Sequence, residues 1–223
     1  MKSKQRRVAH STRDRILLEA AKHFADRGFH ASSLREISRD ADVNPSLLHY
    51  YFESKSALFL EVVSSYRERL SVERNEALLR VSPKLQGRGR VRAIVKAYIA
   101  PHIRLCAEPD AENYVRITGR GTSQPIYPPE VRAPQPINVL RNEFVLALLD
   151  ALPQASEESI RAAFSLTVDL MLIAPVDTVY ETLTGHRAWP EDPDALTDRL
   201  VEFCTAGIIA ICKNGDTSSR ASP

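Results

Sequence analysis

Signatures of metal binding and catalysis are missing from this 223-residue sequence. Its three cysteines, Cys106, Cys204 and Cys212, are far apart and form no Cys-x-x-Cys pair. That argues against a disulfide framework or a cysteine metal site, and leaves reduced thiols filling apolar positions. His10, His23, His30, His49, His102 and His186 never fall at His-x-x-x-His spacing, so no metal site is expected. There is no glycine-rich phosphate loop and no nucleophile elbow, and Asp192 and Asp194 read as loop and cap residues. No catalytic residue, enzyme activity or cofactor is expected. No uncharged apolar run approaches 18 residues, which argues against a membrane span. Met1 to Arg7 is basic but no apolar stretch follows, so a secretory leader is not expected and the reading is a cytoplasmic protein. No segment alternates apolar and polar residues as a half-buried strand would, and no internal repeat is visible. The expected fold class is all-α.

Charge of one sign is also scarce: 30 Lys and Arg stand against 28 Asp and Glu, a formal net charge of +2. Such a balance says little about nucleic acid, but its distribution says more. Residues 1–60 hold 11 basic and 7 acidic side chains, so the excess positive charge lies at the N-terminal end. Phosphate binding requires that direction of asymmetry.

What is present is a series of helical patterns. Met1 to Ser11 reads as an arm, whose Arg6 and Arg7 are placed to graze a minor groove or merely to solubilise the terminus. Ser11 or Thr12 opens a helix to about Arg27, with Ile16, Leu17, Ala20, Ala21 and Phe24 inward, and Gly28 closes it. Ser33 and Glu36 have capping-box spacing before Leu34 and Ile37. Asp42 and Val43 form a joint, after which Asn44 caps a short helix with Pro45 at its first position. Within Pro45 to Phe52, Leu48 and Phe52 face inward, while Ser46, His49, Tyr50 and Tyr51 carry hydrogen-bonding tips. A short helix so furnished, held by a tight turn against another, suits a major groove.

These residues carry a resemblance. The runs T-R-x-x-I-L-x-x-A at Thr12 to Ala20, F-A-x-x-G-F at Phe24 to Phe29 and S-S-L-R-E-I at Ser32 to Ile37 are similar to the DNA-binding domain of the TetR family of transcriptional regulators. The likeness continues with A-D-V-N-P-S-L-L-H-Y-Y-F at Ala41 to Phe52 and S-K-S-A-L-F at Ser54 to Phe59. Two positions depart from the family pattern. Asp42 stands where Gly is usual, and Tyr51 where many members have His. The resemblance implies that Tyr50, Tyr51 and Lys55 clamp phosphates. Lys55 opens a helix, where its charge opposes the helix dipole, and a phosphate there would explain the placement. Ser46 and His49 are the expected base-edge readers, with Pro45 against a thymine methyl, and Ser33 and Arg35 add backbone contacts.

Lys55 opens a long helix to about residue 81, its stripe formed by Leu58, Phe59, Val62, Val63, Tyr66 and Leu70. Ser82-Pro83 stops it, and Gly87-Arg88-Gly89 reads as a linker. Helices follow over about 91–107, with Pro101 expected to kink the ladder, and from Asp110 to near Gly119 or Gly121. Five prolines make 122–136 a loop. Further helices span about 137–152, 156–184 and 194–211, with a loop through Trp189-Pro190 and a polar tail from Lys213. Cys204 and Cys212, eight apart on the last of these, face the same way, which leaves a redox role open.

The organisation expected is therefore residues 1–60 as arm and helix-turn-helix domain, and 61–223 as a larger helical domain, joined by the helix over 55–81. By resemblance the second part binds a small-molecule effector and dimerises. Independently, the apolar excess of the helices at about 156–184 and 194–211 suits a four-helix interface with a second copy. A homodimer places two recognition helices on half-sites about 34 Å apart in a palindromic double-stranded DNA operator. Polar residues within apolar faces are the ligand-binding candidates: Tyr98, His102, Arg116, Glu143, Asp169 and Asp177. The wealth of apolar side chains suggests a mostly apolar effector, with Arg116 available to a carboxylate. The expectation is a repressor released by its effector. An activator or effector-independent regulator on the same fold, a small helical enzyme and a non-specific DNA-coating protein are the alternatives.

Overall fold

The computed structural model describes residues 11–120, 136–186 and 192–218, and no strand occurs among them. The arm over 1–10, nearly all of the proline-rich loop and the Trp189-Pro190 loop lie outside the described residues.

Helix α1 (Thr12–Ala31) opens on a capping box: Ser11 Oγ accepts from the Asp14 N–H and the Asp14 carboxylate accepts from the Ser11 N–H. Gly28 interrupts the helix at φ 78°, and the chain then adds a further turn instead of stopping. That turn brings Phe29 back onto Phe24, with ring centroids 6.1 Å apart, and onto Phe59 at 5.4 Å. In α2 (Leu34–Asp40) the expected capping box is not formed. Ser33 occupies the N-cap position without a side-chain bond, and Glu36, instead of returning a bond to it, accepts from Arg27 at 2.9 Å and ties α2 to α1.

After α3 (Pro45–Tyr51), Ser54 caps α4 (Lys55–Leu79) by accepting from the Ala57 N–H. The expected Gly87-Arg88-Gly89 linker instead forms the first turn of α5 (Gly87–Cys106). The charge pattern explains this, since Arg88 reaches Glu202 at 3.0 Å and Arg92 and Lys96 continue the row onto Glu202 and Asp198. Pro101 is buried within α5, and the helix runs past it to Cys106. A 3-10 turn, Pro109–Ala111, leads into α6 (Glu112–Arg120), and α7 (Pro136–Ala151) follows the undescribed loop.

The helix expected over 156–184 is broken. α8 (Glu157–Ile173) gives way to a 3-10 turn, Ala174–Val176, and then to α9 (Thr178–Thr184). Pro175 causes the break, having no N–H to donate and a ring that crowds the preceding turn. Gly185 ends α9 at φ 71°. α10 (Pro193–Ser218) starts with Asp192, not Asp194, as its side-chain cap, and it continues through the expected polar tail from Lys213 as far as Ser218.

Two apolar clusters hold these helices. The first gathers Ile16, Phe24, Ile37, Leu48, Phe59 and Leu70, and it extends past residue 60 to Leu105, Tyr114, Val115 and Ile117. The second lies among α5, α7, α8 and α10, around Tyr98, Phe144, Phe164 and Ile208. Helix α6 binds the two together. Tyr114 stacks on Tyr66 at 4.8 Å, and Arg116 pairs with Asp26 of α1 at 2.9 Å. Gly119 lies so close to the turn after α8 that a Cβ there would sit 2.7 Å from Val176 Cγ2.

Candidate nucleic-acid interface

The joint between α2 and α3 is a Schellman motif built without glycine. The Val43 N–H donates to the Ser38 carbonyl at 2.9 Å, and the Asp42 N–H donates to Arg39 at 3.1 Å. Asp42 takes the left-handed conformation that this closure demands, at φ 53°. Asp accepts that conformation more readily than most residues with a Cβ. Asn44 then caps α3, its side chain accepting from the Ser46 N–H at 2.9 Å.

Burial divides α3 sharply. Leu48 and, at the C-cap, Phe52 enter the core, while Pro45, Ser46, His49, Tyr50 and Tyr51 all stand on the open side. Tyr50 is 81% exposed, and its ring meets Tyr51 edge-on at 5.4 Å. The structure thus brings the expected base-reading and phosphate-binding side chains of α3 onto one surface. Arg35 is exposed on α2, and Ser33 is half-buried at its start.

Lys55 has partners within the fold itself. Its ammonium donates to the carbonyls of His30 at 3.2 Å and Ser32 at 3.0 Å, and sits 4.6 Å from the centroid of the Phe29 ring. These carbonyls are left over at the end of α1, so a cation is favoured there. That accounts for a lysine at the start of α4 without any phosphate. Partial burial also lowers its pKa from the ordinary lysine value.

The six ligand-site candidates are not brought together. Arg116 is committed to Asp26, Glu143 is exposed on α7, and Asp169 is exposed on the outer face of α8 and not buried among its apolar neighbours. Asp177 caps α9, accepting from the Val179 N–H at 2.8 Å. Tyr98 and His102 alone share a site, one turn apart on the buried face of α5. Among the described residues, neither the Tyr98 hydroxyl nor either ring nitrogen of His102 has a hydrogen-bond partner. Burial pushes the His102 pKa down to about 3, and the nearby Arg74 charge acts in the same direction.

Arg74 itself was not anticipated. It is 2% exposed, donates from Nε to the Tyr98 carbonyl at 2.9 Å and from Nη2 to Met171 Sδ at 3.2 Å, and lies 4.0 Å from the Tyr98 ring centroid. Among the described residues no carboxylate pairs with it within 4.0 Å. Its spacing held the signal, since it falls four residues beyond the buried Leu70 and so continues the inward stripe of α4.

The thiols do not form a switch within one chain. Cys204 and Cys212 are both buried, and eight residues of helix separate them by about 12 Å. A disulfide needs Cα atoms within about 7 Å. Burial also raises both thiol pKa values.

Comparisons with known proteins agree with this geometry. Residues 16–62 match the family described as bacterial regulatory proteins, tetR family, and residues 96–207 match the tetracyclin repressor-like C-terminal domain. The chain is 27% identical over 196 residues to the HTH-type transcriptional activator FasR of Mycolicibacterium smegmatis, covering 88% of this chain and 82% of that one. It is 41% identical over 61 residues to the probable HTH-type transcriptional regulator YttP of Bacillus subtilis, covering 27% of this chain and 30% of YttP. Among solved structures, a TetR-family regulator from Bordetella parapertussis superposes with TM-score 0.61 at 19% identity, covering 87% of this chain and 94% of that one. The fatty acid degradation regulator FadR of Bacillus halodurans superposes with TM-score 0.58 at 16% identity, covering 90% and 98%. These two likenesses establish the fold. With a helix-turn-helix domain at one end and a matching helical domain over half its length, the chain belongs to the TetR family of transcriptional regulators, which are DNA-binding proteins and not enzymes.

Proposed function

We propose that this regulator binds a palindromic operator as a homodimer in the cytoplasm, represses transcription there, and is released by a small, mostly apolar effector held in the helical domain. The observation that carries the DNA reading is the exposed face of α3. Ser46 and His49 would read base edges, Pro45 would meet a thymine methyl, and Tyr50 and Tyr51 would hold phosphates. Ser33, Arg35 and the remaining N–H of Lys55 would add backbone contacts. The domain reading follows the same line, with residues 1–60 as the DNA-binding part and 61–223 as the effector and dimerisation part.

Dimerisation is supported by two stripes. Ala162, Leu166, Asp169 and Ile173 are exposed at helical spacing on α8, and Arg199, Phe203, Ala206 and Ala210 are exposed on α10. Phe203 is 70% exposed, an unfavourable position for a ring with nothing against it. One acidic and one basic residue among these apolar stripes suit pairing with a second copy. The same pairing explains why the segment Glu157–Val176 is apolar enough for a membrane while belonging to a packed helix.

The test is selection of genomic DNA fragments at physiological salt by the wild type and by the double substitution His49→Ala, Tyr50→Ala. Enrichment of one palindromic site, lost in the variant, is expected. Equal enrichment by both would refute the assignment of α3. An activator is the second reading, favoured by the likeness to FasR. Transcription in vitro from the selected site separates the two, since a repressor lowers the transcript and an activator raises it.

A further inference from the structure

We propose that the helical domain holds a buried anion-binding subsite formed by Arg74, Tyr98 and His102, and that it takes the carboxylate head of an effector with an apolar tail. This rests on the effector-binding reading of the domain and gives that effector its chemistry.

The argument begins with charge. A guanidinium stays protonated at any relevant pH, so a buried arginine must carry its cation into the core. Such a cation normally meets a carboxylate, because leaving it unpaired there is costly. Arg74 meets a backbone carbonyl, an aromatic face and a thioether, which are all neutral. Met171 Sδ is a weak acceptor, standing where an oxygen would bind better. Its side chain turns about three bonds and can move aside for a ligand.

The neighbours supply the rest of an anion site. Among the described residues, the Tyr98 hydroxyl is a buried donor without an acceptor, and both His102 nitrogens are buried without partners. Because burial keeps the imidazole neutral, it has one N–H to donate and does not become a second cation. Three donors, one of them charged, are what a carboxylate with its several lone pairs can use. Two buried side chains one turn apart with unpartnered polar atoms, beside a buried cation that no carboxylate meets among the described residues, call for an explanation, and a bound anion supplies it.

The surroundings define the remainder of the ligand. Phe144 and Phe164 pack edge-on against the Tyr98 ring, each at 4.9 Å, and the wider cluster is aliphatic. A molecule reaching Arg74 must therefore lie along apolar side chains. Inorganic anions lack that second half, and neutral apolar molecules lack the first.

The experiment is isothermal titration calorimetry of the purified chain with straight-chain carboxylates from hexanoate to hexadecanoate, each beside its alcohol of equal length. At the best length the carboxylate is expected to bind at least about tenfold more tightly than the alcohol. Arg74→Met should erase that preference while leaving the melting temperature equal or higher, since an unpaired buried charge is removed. Tyr98→Phe removes only the unpartnered hydroxyl, so it should fold as the wild type does and weaken the carboxylate several-fold. It preserves the test if Arg74→Met fails to fold. Absence of carboxylate binding at every length, equal affinity for the alcohol, a preference surviving in Arg74→Met, or an undiminished preference in Tyr98→Phe would overturn the proposal. Chloride or inorganic phosphate raising the melting temperature as much as the carboxylate would also overturn it. The fragment selection is independent of these outcomes, so loss of this subsite and loss of the regulator reading are told apart.

Discussion

Acid should destabilise this fold through His102, and the size of the effect follows from its burial. In the folded chain the imidazole pKa is pushed down to about 3, mainly because burial penalises the charged ring. In the unfolded chain it returns to about 6.5. Below that value the unfolded state binds a proton that the folded state refuses, so stability falls as pH falls. The loss grows by about 1.4 kcal/mol per pH unit below 6.5 and reaches about 2 kcal/mol at pH 5. His102→Leu removes this dependence. The variant should be at least as stable as the wild type at pH 7.5, because two unpartnered nitrogens give way to carbon. Urea unfolding followed by far-ultraviolet circular dichroism, at pH 7.5 and pH 5.0, measures both chains. The difference of differences isolates His102 from carboxylates and histidines elsewhere. If wild type and variant lose the same stability on acidification, His102 is not held neutral by its surroundings, and its place in a buried donor cluster fails with it.

Other substitutions test the reading head and its connection to the body. Asp42→Gly relieves the left-handed backbone at φ 53° and should stabilise the protein by about 0.5–1 kcal/mol, seen as a higher urea midpoint with an unchanged m-value. Lys55→Met keeps the stem over Phe29 but loses the two bonds to the His30 and Ser32 carbonyls. It should cost about 1–2 kcal/mol in thermal unfolding without DNA, and no change would mean that the lysine serves phosphate alone. Gly119→Ala places its methyl carbon 2.7 Å from Val176 Cγ2 and 3.1 Å from the Leu172 carbonyl oxygen, so a loss of about 1–3 kcal/mol is expected by calorimetry.

The legible parts of the sequence were those where local chemistry and tertiary packing agree. Asn44 and Pro45 start α3 as their capping preferences require, and Asp42 forms the left-handed joint. Leu48 and Phe52 take the inward positions that helical spacing assigns. Where a side chain had two possible partners, local reading failed. Ser33 and Glu36 have the spacing of a capping box, but Arg27 lies nine residues back and draws Glu36 away. Gly87-Arg88-Gly89 has a linker's composition, yet Glu202, more than a hundred residues away, holds Arg88 in a helix. Asp169 sits between Val168 and Leu170, and only the packing of α8 reveals that it points outward. The polar cluster was half visible. Tyr98 and His102 share a face by their spacing, whereas Arg74 joins them only through the packing of α4 against α5.

That packing gives the proposed effector a mechanical route to the DNA. Lys55 and Arg74 lie on the same helix, 19 residues apart, which is about 28 Å of α4. At one end Lys55 clips α4 to the carbonyls that close α1, and at the other Arg74 faces the proposed carboxylate. A ligand that draws on Arg74 would thus act on an element anchored directly in the DNA-reading head. Helix α6 provides a second connection through Arg116 and Asp26. The ligand can shift this assembly only by binding one arrangement more tightly than the other. Linkage then fixes a quantitative expectation. If a saturating carboxylate weakens operator binding by some factor, saturating operator must weaken carboxylate binding by that same factor. Fluorescence anisotropy of labelled operator gives the first number, and calorimetry of the protein–operator complex gives the second. Lys55→Met loosens the clip without touching the subsite, so it should lower both factors together and leave carboxylate affinity in the absence of DNA unchanged. A variant that kept the full factor would place the coupling outside α4, with α6 as its remaining path.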